Sequence, residues 1–363
     1  MEKARFGRFL AVACVVAFWM TASWADDPPI RDGILVVTAP RLGGHERIIE
    51  AFGRRDSGAG VRPVRVDVRM PQAGQSTSAF VNSLAPELRR YRVIYATSIA
   101  LARELQRIDA RTPIVFKGQA DPVTFCLADS MRRPGRNATG YVDYLPDNEE
   151  KMLQLLVGGF PSLHTVYVLA SGGNYYVSEC DPRPKPPTRE APACVAGLRD
   201  AESPDLWWIQ ETRDVVAEAR RLGVEVRYLL LCTVADFERL ETLGRGVEGV
   251  GFLISHQGLF SRGADELVRS VERSGRPAIY GLRGFARRGG LMSLEPLLDA
   301  SDDQVPIDMI RQVLAGRDPS VMPIQTPRGF RFSVNAATAE RQSLRPSLSI
   351  LRRADEIMLG NAP

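Results

Sequence analysis

The chain has 363 residues, 44% of them apolar, and a formal net charge of +4. At roughly 150 residues per domain this is material for two cores. The charge is spread without a long single-sign block, which argues against the concentrated basic face of a nucleic-acid binder. At the N-terminus, Lys3, Arg5 and Arg8 precede the apolar run LAVACVVAFWM, and Ser23 and Ala25 stand just before Asp26. This is the build of a secretory signal peptide spanning 1–25, cleaved before Asp26. The run falls short of the roughly 20 residues a membrane span needs. The residue three before Cys14 is Ala11 rather than Leu, which disfavours a lipoprotein signal. A soluble, exported, periplasmic protein is expected.

After the leader, short β-rich runs alternate with helical ones. ILVVT (34–38) reads as a buried strand and GHERIIEAF as a helix; VRVDVR (64–69) is strand-like. STSAFVNSLAPELRR (76–90) has helical spacing, with Pro86 placed to bend or split it. YRVIYA (91–96) is a strand, SIALARELQRI (98–108) a helix, PIVFK (113–117) a strand and VTFCLADSM (123–131) a helix. The basic, turn-rich stretch RRPGRNATG follows, then GYVDY (140–144) as an extended crossing segment. Beyond it, Asp147 and Glu150 fit a capping box for the helix NEEKMLQLL. HTVYVLA (164–170) is the next strand. An irregular Pro-rich stretch at 171–210, with Trp207 and Trp208, reads as an insertion. Then come TRDVVAEARRLG, VEVRYLLL, FERLETL, VGFLIS, ADELVRSVERSG and PAIYG. Such alternation predicts an α/β fold with parallel strands joined by crossover helices, in two halves.

Outside the leader, the cysteines are Cys126, Cys180, Cys194 and Cys232. Export permits disulfides. Cys180 and Cys194 flank the loop DPRPKPPTREAPA and are expected to bridge it, whereas Cys126 and Cys232 lie in apolar runs and read as buried free thiols. With no C-x-x-C pair and three scattered histidines, no metal site and no cofactor are expected. Neither G-x-S-x-G nor G-x-G-x-x-G after the first strand is present, so an enzyme is not expected. RRPGRNATG also lacks the phosphate-loop pattern, and the sequon at Asn137 reads as incidental.

RRPGRNATG resembles the R-P-G-x-N-x-T-G signature of ABC-transporter substrate-binding proteins of the tryptophan/tyrosine type. TPIVFKGQADPV (112–123), RVIYATSIALA (92–102), RPAIYGLRGFARRGGLMSLEP (276–296) and RFSVNAATAERQSLRPSLSILRRADEIM (331–358) resemble further family segments, in order. The resemblance covers nearly the whole chain except the insertion. It implies a type 1 periplasmic-binding fold: two Rossmann-like lobes with parallel sheets, three hinge crossings near 140–144, 292–298 and 324–330, and a ligand in the cleft. The N-terminal lobe would be 33–141 plus 297–325, and the C-terminal lobe 142–296 plus 327–360. The implied partners are a small-molecule ligand and ABC permease subunits, or a membrane sensor kinase, with the protein a monomer.

In such sheets ligands sit beyond the carboxyl ends of strands, where helix N-termini favour anions. Thr97 and Ser98 stand there and can clasp a carboxylate, or cap the helix. Thr38 and Arg41 follow the first strand. Asp121 can accept an amine or cap a turn. Tyr141 and Tyr144 can stack on a ligand or pack. On the second half, Ser171, His256, Gln257 and Arg283 follow strands. Where the family often has an acidic residue this chain has Gln257, which removes a partner for an amino group, and Arg283 adds a cation for an anionic one. The expected ligand is a small carboxylate-bearing organic molecule.

Overall fold

The structure, a computed structural model, describes residues 33–38, 45–53, 64–119, 121–123, 125–143, 148–171, 197–200, 212–243, 245–281, 284–297 and 302–360. Two sheets organise them. The smaller has the order β2-β1-β3-β4-β5, from β1 (Gly33–Val37), β2 (Arg65–Arg69), β3 (Val93–Ala96), β4 (Ile114–Gly118) and β5 (Ala138–Val142), all parallel. β1, β3 and most of β4 are continuous apolar runs because both of their faces are covered, whereas the edge strand β2, RVDVR, is only partly buried. On one face lie Leu35, Ile94 and Phe116 with Phe80 and Leu105 from the helices α2 (Thr77–Leu84) and α3 (Ile99–Ile108). On the other lie Val36, Tyr95 and Val115 with Phe52 of α1 (His45–Gly53) and Ile307 and Ile310 of α8 (Gln304–Leu314).

The larger sheet is β13-β12-β11-β10-β9-β6-β8-β7. Its strands are β6 (Thr165–Ser171), β7 (Gly197–Asp200), β8 (Glu225–Leu231), β9 (Val250–Ile254), β10 (Ala278–Tyr280), β11 (Met292–Pro296), β12 (Phe330–Asn335) and β13 (Glu356–Met358). Pairing is parallel except for β7 with β8 and β11 with β12. The sheet is therefore mostly rather than wholly parallel, because β12 returns against β11. Helices α4 (Asn148–Gly159) and α5 (Thr212–Leu222) cover one face, and α7 (Ala264–Ser274) the other. The short helices α6 (Gly258–Arg262), α9 (Ala336–Arg341) and α10 (Leu348–Leu351) are the other α-helices among the described residues.

Three connections join the sheets. β5 leads into α4, β11 leads toward α8 on the smaller sheet, and the segment containing Gln325 leads into β12. That segment runs beside β5: Val142 donates to the Gln325 carbonyl at 2.9 Å, and Gln325 donates to the Gly140 carbonyl at 2.9 Å. Leu297 donates to the Gly329 carbonyl at 2.8 Å, so the second and third connections also run together.

Several elements differ from the sequence reading. The stretch 123–131 is a series of turns, not a helix. Phe125 makes one helical bond to the Asp121 carbonyl, but Cys126 has φ 55° and the Pro122 carbonyl accepts from both Leu127 and Ala128, so the helical ladder does not continue. β5 begins at Ala138, inside the RRPGRNATG motif, and ends at Val142. The chain after Thr233 forms a 3-10 helix, Val234–Glu241, held by a capping box between Thr233 and Asp236. Pro86 does split its helix: α2 ends at Leu84 and a 3-10 turn follows at Leu88–Arg90. β7, an edge strand at the end of the Pro-rich stretch, carries no sequence alternation that marks it.

Cys126 and Cys232 are each disulfide-bonded, which corrects the reading of both as free thiols. Cys126 lies in the turn series rather than on a helix face, and it is buried as expected. The proposed Cys180–Cys194 bridge lies outside the described residues, as do the leader, Trp207 and Trp208.

Candidate functional site

The carboxyl edge of the smaller sheet holds a cluster of polar side chains on its α1/α8 face. Side chains alternate across a strand, so Thr38, Thr97, Lys117, Tyr141 and Asp143 share the face of Val36, Tyr95 and Val115. Thr38 is fully buried, and Thr97 is half-buried and donates its hydroxyl to Thr38 Oγ1 at 2.9 Å. The Thr97 backbone donates to the Val37 carbonyl at 3.1 Å, which continues the β1–β3 ladder past the strand ends. Ser98 caps α3: its Oγ accepts from Leu101 N at 3.2 Å. The capping alternative thus holds for Ser98, while its hydroxyl proton remains able to donate.

Tyr141 is buried and donates to Asp302 Oδ1 at 2.7 Å, so its ring packs against α8 and does not form an open stacking platform. Asp121 Oδ1 accepts from Val123 N at 2.8 Å, the turn-capping reading. Beside these stand residues that sequence reasoning missed. Lys117 Nζ lies 2.7 Å from Asp303 Oδ1 and 5.7 Å from the centre of the Tyr141 ring. Arg47 Nε lies 3.4 Å from Asp303 Oδ2. Asp143 is pushed above the usual carboxylate range, chiefly by burial. Lys117 and Gln119 pull it down, and Asp302 and Asp303 push it up. The nearest signal was periodicity: Lys117 is the one charge in the run PIVFK. Asp302 and Asp303 lie 161 and 186 positions from their partners Tyr141 and Lys117 and carry no local signal.

The larger sheet has its own polar edge. Ser171 N donates to Gln257 Oε1, and Gln257 Nε2 donates to Ser255 Oγ at 3.0 Å. Gln257 is thus engaged at both ends of its amide, tying the end of β6 to the end of β9. His256 is held below its ordinary range by burial, so its imidazole is neutral near neutral pH. Asn148 opens α4, is buried, and meets Met152 Sδ at 3.5 Å through Nδ2. The structure therefore groups Thr38 with Thr97 on one sheet, and Ser171 with Gln257 on the other. Arg41, Tyr144 and Arg283 lie outside the described residues. Among the described residues no group of three or more His, Cys, Asp or Glu side chains is arranged to hold a metal ion. No helix among them is long and apolar enough to cross a membrane.

No protein-family model and no curated protein sequence matches the chain. Solved structures do. A conserved domain protein from Vibrio cholerae superposes with a TM-score of 0.63 at 15% identity, covering 90% of this chain and 99% of that one. An ABC domain in complex with L-Trp from Streptococcus pneumoniae gives 0.62 at 17%, covering 90% and 100%. A ligand-free, open substrate-binding protein with adhesive properties from Clostridium difficile gives 0.56 at 16%, covering 90% and 100%. The fold is that of the type 1 periplasmic binding proteins. At these identities the likeness is one of fold, and the tryptophan-type assignment stays with the motif resemblance.

Proposed function

We propose that this protein is an exported, periplasmic solute-binding protein. It captures a small carboxylate-bearing organic molecule between two lobes and delivers it to an ABC permease. The lobes are those expected from the sequence, 33–141 plus 297–325 and 142–296 plus 327–360. The observation that carries the reading is the Thr97–Thr38 hydroxyl pair at the carboxyl edge of β1 and β3, beside the first turn of α3. Thr97 donates its proton to Thr38, and the Ser98 hydroxyl, whose oxygen accepts from Leu101 N, keeps a proton to donate at the start of α3. Hydroxyl and amide donors converging at a helix start suit a carboxylate. Arg41, four positions beyond the end of β1, supplies a cation in this reading, and Ser171, His256, Gln257 and Arg283 close from the other lobe. Asp121 and Tyr141 serve structure in their own lobe.

The test is a thermal-shift screen of small carboxylates, since a ligand that binds only the native state raises apparent stability. Calorimetry on Thr97→Val and Ser98→Ala follows. Loss of a charge-assisted bond costs about 1.5–3 kcal/mol, or roughly ten- to a hundredfold in affinity. Unchanged affinity in the double variant moves the site elsewhere. A periplasmic sensor signalling to a membrane kinase would use the same cleft; a permease bound in pull-down from membranes, rather than a kinase, decides for transport.

A further inference from the structure

We propose that the carboxylate cluster where the three inter-sheet connections meet makes the relative placement of the two lobes depend on proton uptake at Asp143. The inference rests on the reading of two lobes that move about those connections. Asp143 directly follows β5, which leads into the first connection, and Asp302 and Asp303 directly precede α8, to which the second leads. The third runs beside β5 through the Tyr141–Gln325 bridge. Any rotation of one sheet against the other changes backbone angles at these places first.

The groups around Asp143 are unequally served. Asp303 takes both cations, Lys117 at 2.7 Å and Arg47 at 3.4 Å. Asp302 receives the Tyr141 hydroxyl at 2.7 Å. Asp143 has its backbone pinned to the Gly118 carbonyl at 2.8 Å and a side-chain bond from Gln119, yet its Oδ1 is buried with no hydrogen-bond partner. Among the described residues both cations make their ion pairs with Asp303, and Lys117 acts on Asp143 only from a distance. The remaining titratable neighbours do not repair this. Tyr95 on β3 is held protonated by burial and by Asp303 and Asp143. On α1, His45 Nε2 lies 3.5 Å from Glu46 Oε1. A buried, unpartnered carboxylate oxygen is costly, and protonation is its cheapest remedy.

The sign follows. In the described arrangement Asp143 binds its proton more tightly than a hydrated carboxyl does. This arrangement is therefore favoured at pH below the ordinary carboxyl range. As pH rises through the raised value it loses ground to one in which Asp143 reaches water. A rotation at the first connection supplies that water.

Small-angle scattering of the purified protein, without ligand, reads the effect. In a titration from acid to neutral pH, the radius of gyration of the wild type is expected to increase in one transition. Asp143→Asn is expected to abolish the transition. Asp302→Asn, which removes one repelling charge, is expected to move its midpoint to lower pH. Near-ultraviolet circular dichroism establishes that each variant is folded; should Asp143→Asn not fold, Asp302→Asn carries the test alone. A flat wild-type profile, or a transition unmoved in the folded variants, overturns the proposal. Because no ligand is added, failure to find a bound carboxylate would overturn the proposed function and leave this result standing.

Discussion

Gly140 of β5 and Phe116 of β4 approach so closely that no side chain fits between them. A β-carbon on Gly140 would meet the Phe116 carbonyl oxygen and stand 2.6 Å from Phe116 Cδ2. Both residues are paired partners in the β4–β5 ladder, at the place where the third connection also docks. Gly140→Ala is expected to destabilise by about 1–3 kcal/mol or more, the usual cost of overpacking. The midpoint of urea unfolding measures it; an unchanged midpoint would show that the two strands separate freely.

Asn137, in the sequon of the same motif, has a structural job. Its Nδ2 donates to the carbonyls of Asp109 at 3.1 Å and Thr112 at 2.7 Å, and its Oδ1 accepts from Gln106 Nε2 at 3.2 Å. A glycan on Nδ2 would leave it one N–H, so at least one of the two donations would be lost. Expression in a glycosylating host is expected to leave Asn137 unmodified, checked by intact mass. Asn137→Ala is expected to cost about 2–3 kcal/mol, because two carbonyls and one amide lose their partner.

Tyr91 and Asp67 form a pair whose pH dependence can be signed. Burial pushes the Asp67 carboxyl up, but the Tyr91 hydroxyl at 2.8 Å and Arg65 at 2.9 Å outweigh it, and the net position is below the ordinary range. Burial and Asp67 push the Tyr91 hydroxyl up to about 12, so it donates throughout the neutral range. A carboxyl depressed on folding stabilises above its unfolded pKa, and that contribution fades as pH falls through the folded one. Tyr91→Phe is expected to lower stability by about 1 kcal/mol at neutral pH and by much less in acid, where Asp67 is protonated in both proteins. Chemical unfolding at both pH values tests this; an equal loss at both would assign the effect to packing.

Cys126 and Cys232, both in disulfides, are expected to resist alkylation in denaturant until a reductant is added. Peptide mapping reads each site. Labelling of either before reduction would return it to the free thiols that its apolar surroundings suggested.

Legibility followed sequence separation. β1, β3, β4, α3 and α7 were readable because each carries its own period: apolar runs for strands covered on both faces, helical spacing for amphipathic helices. Gly275, at φ 65°, ends α7 where the sequence changes from helix to turn residues. The region 123–131 misled because its composition is helical while a left-handed Cys126 and a shared Pro122 carbonyl break the ladder. Site residues were half legible. Thr38, Thr97 and Ser98 follow strands and could be placed by counting. Tyr141 could be placed too, but not its partner.

By itself the sequence determined the alternating α/β order, two sheets, and polar residues at their carboxyl edges, since periodicity and strand ends are local properties. Only the tertiary structure decided what those residues face. Asp302 and Asp303 reach Tyr141 and Lys117 across 161 and 186 positions because α8 packs on the smaller sheet after the chain has built most of the larger one. Gln257 is turned toward Ser171 because β6 and β9 are neighbours in space while 86 positions separate the two residues. Such pairings depend on which strands lie side by side, and side-chain spacing along the chain carries no record of that.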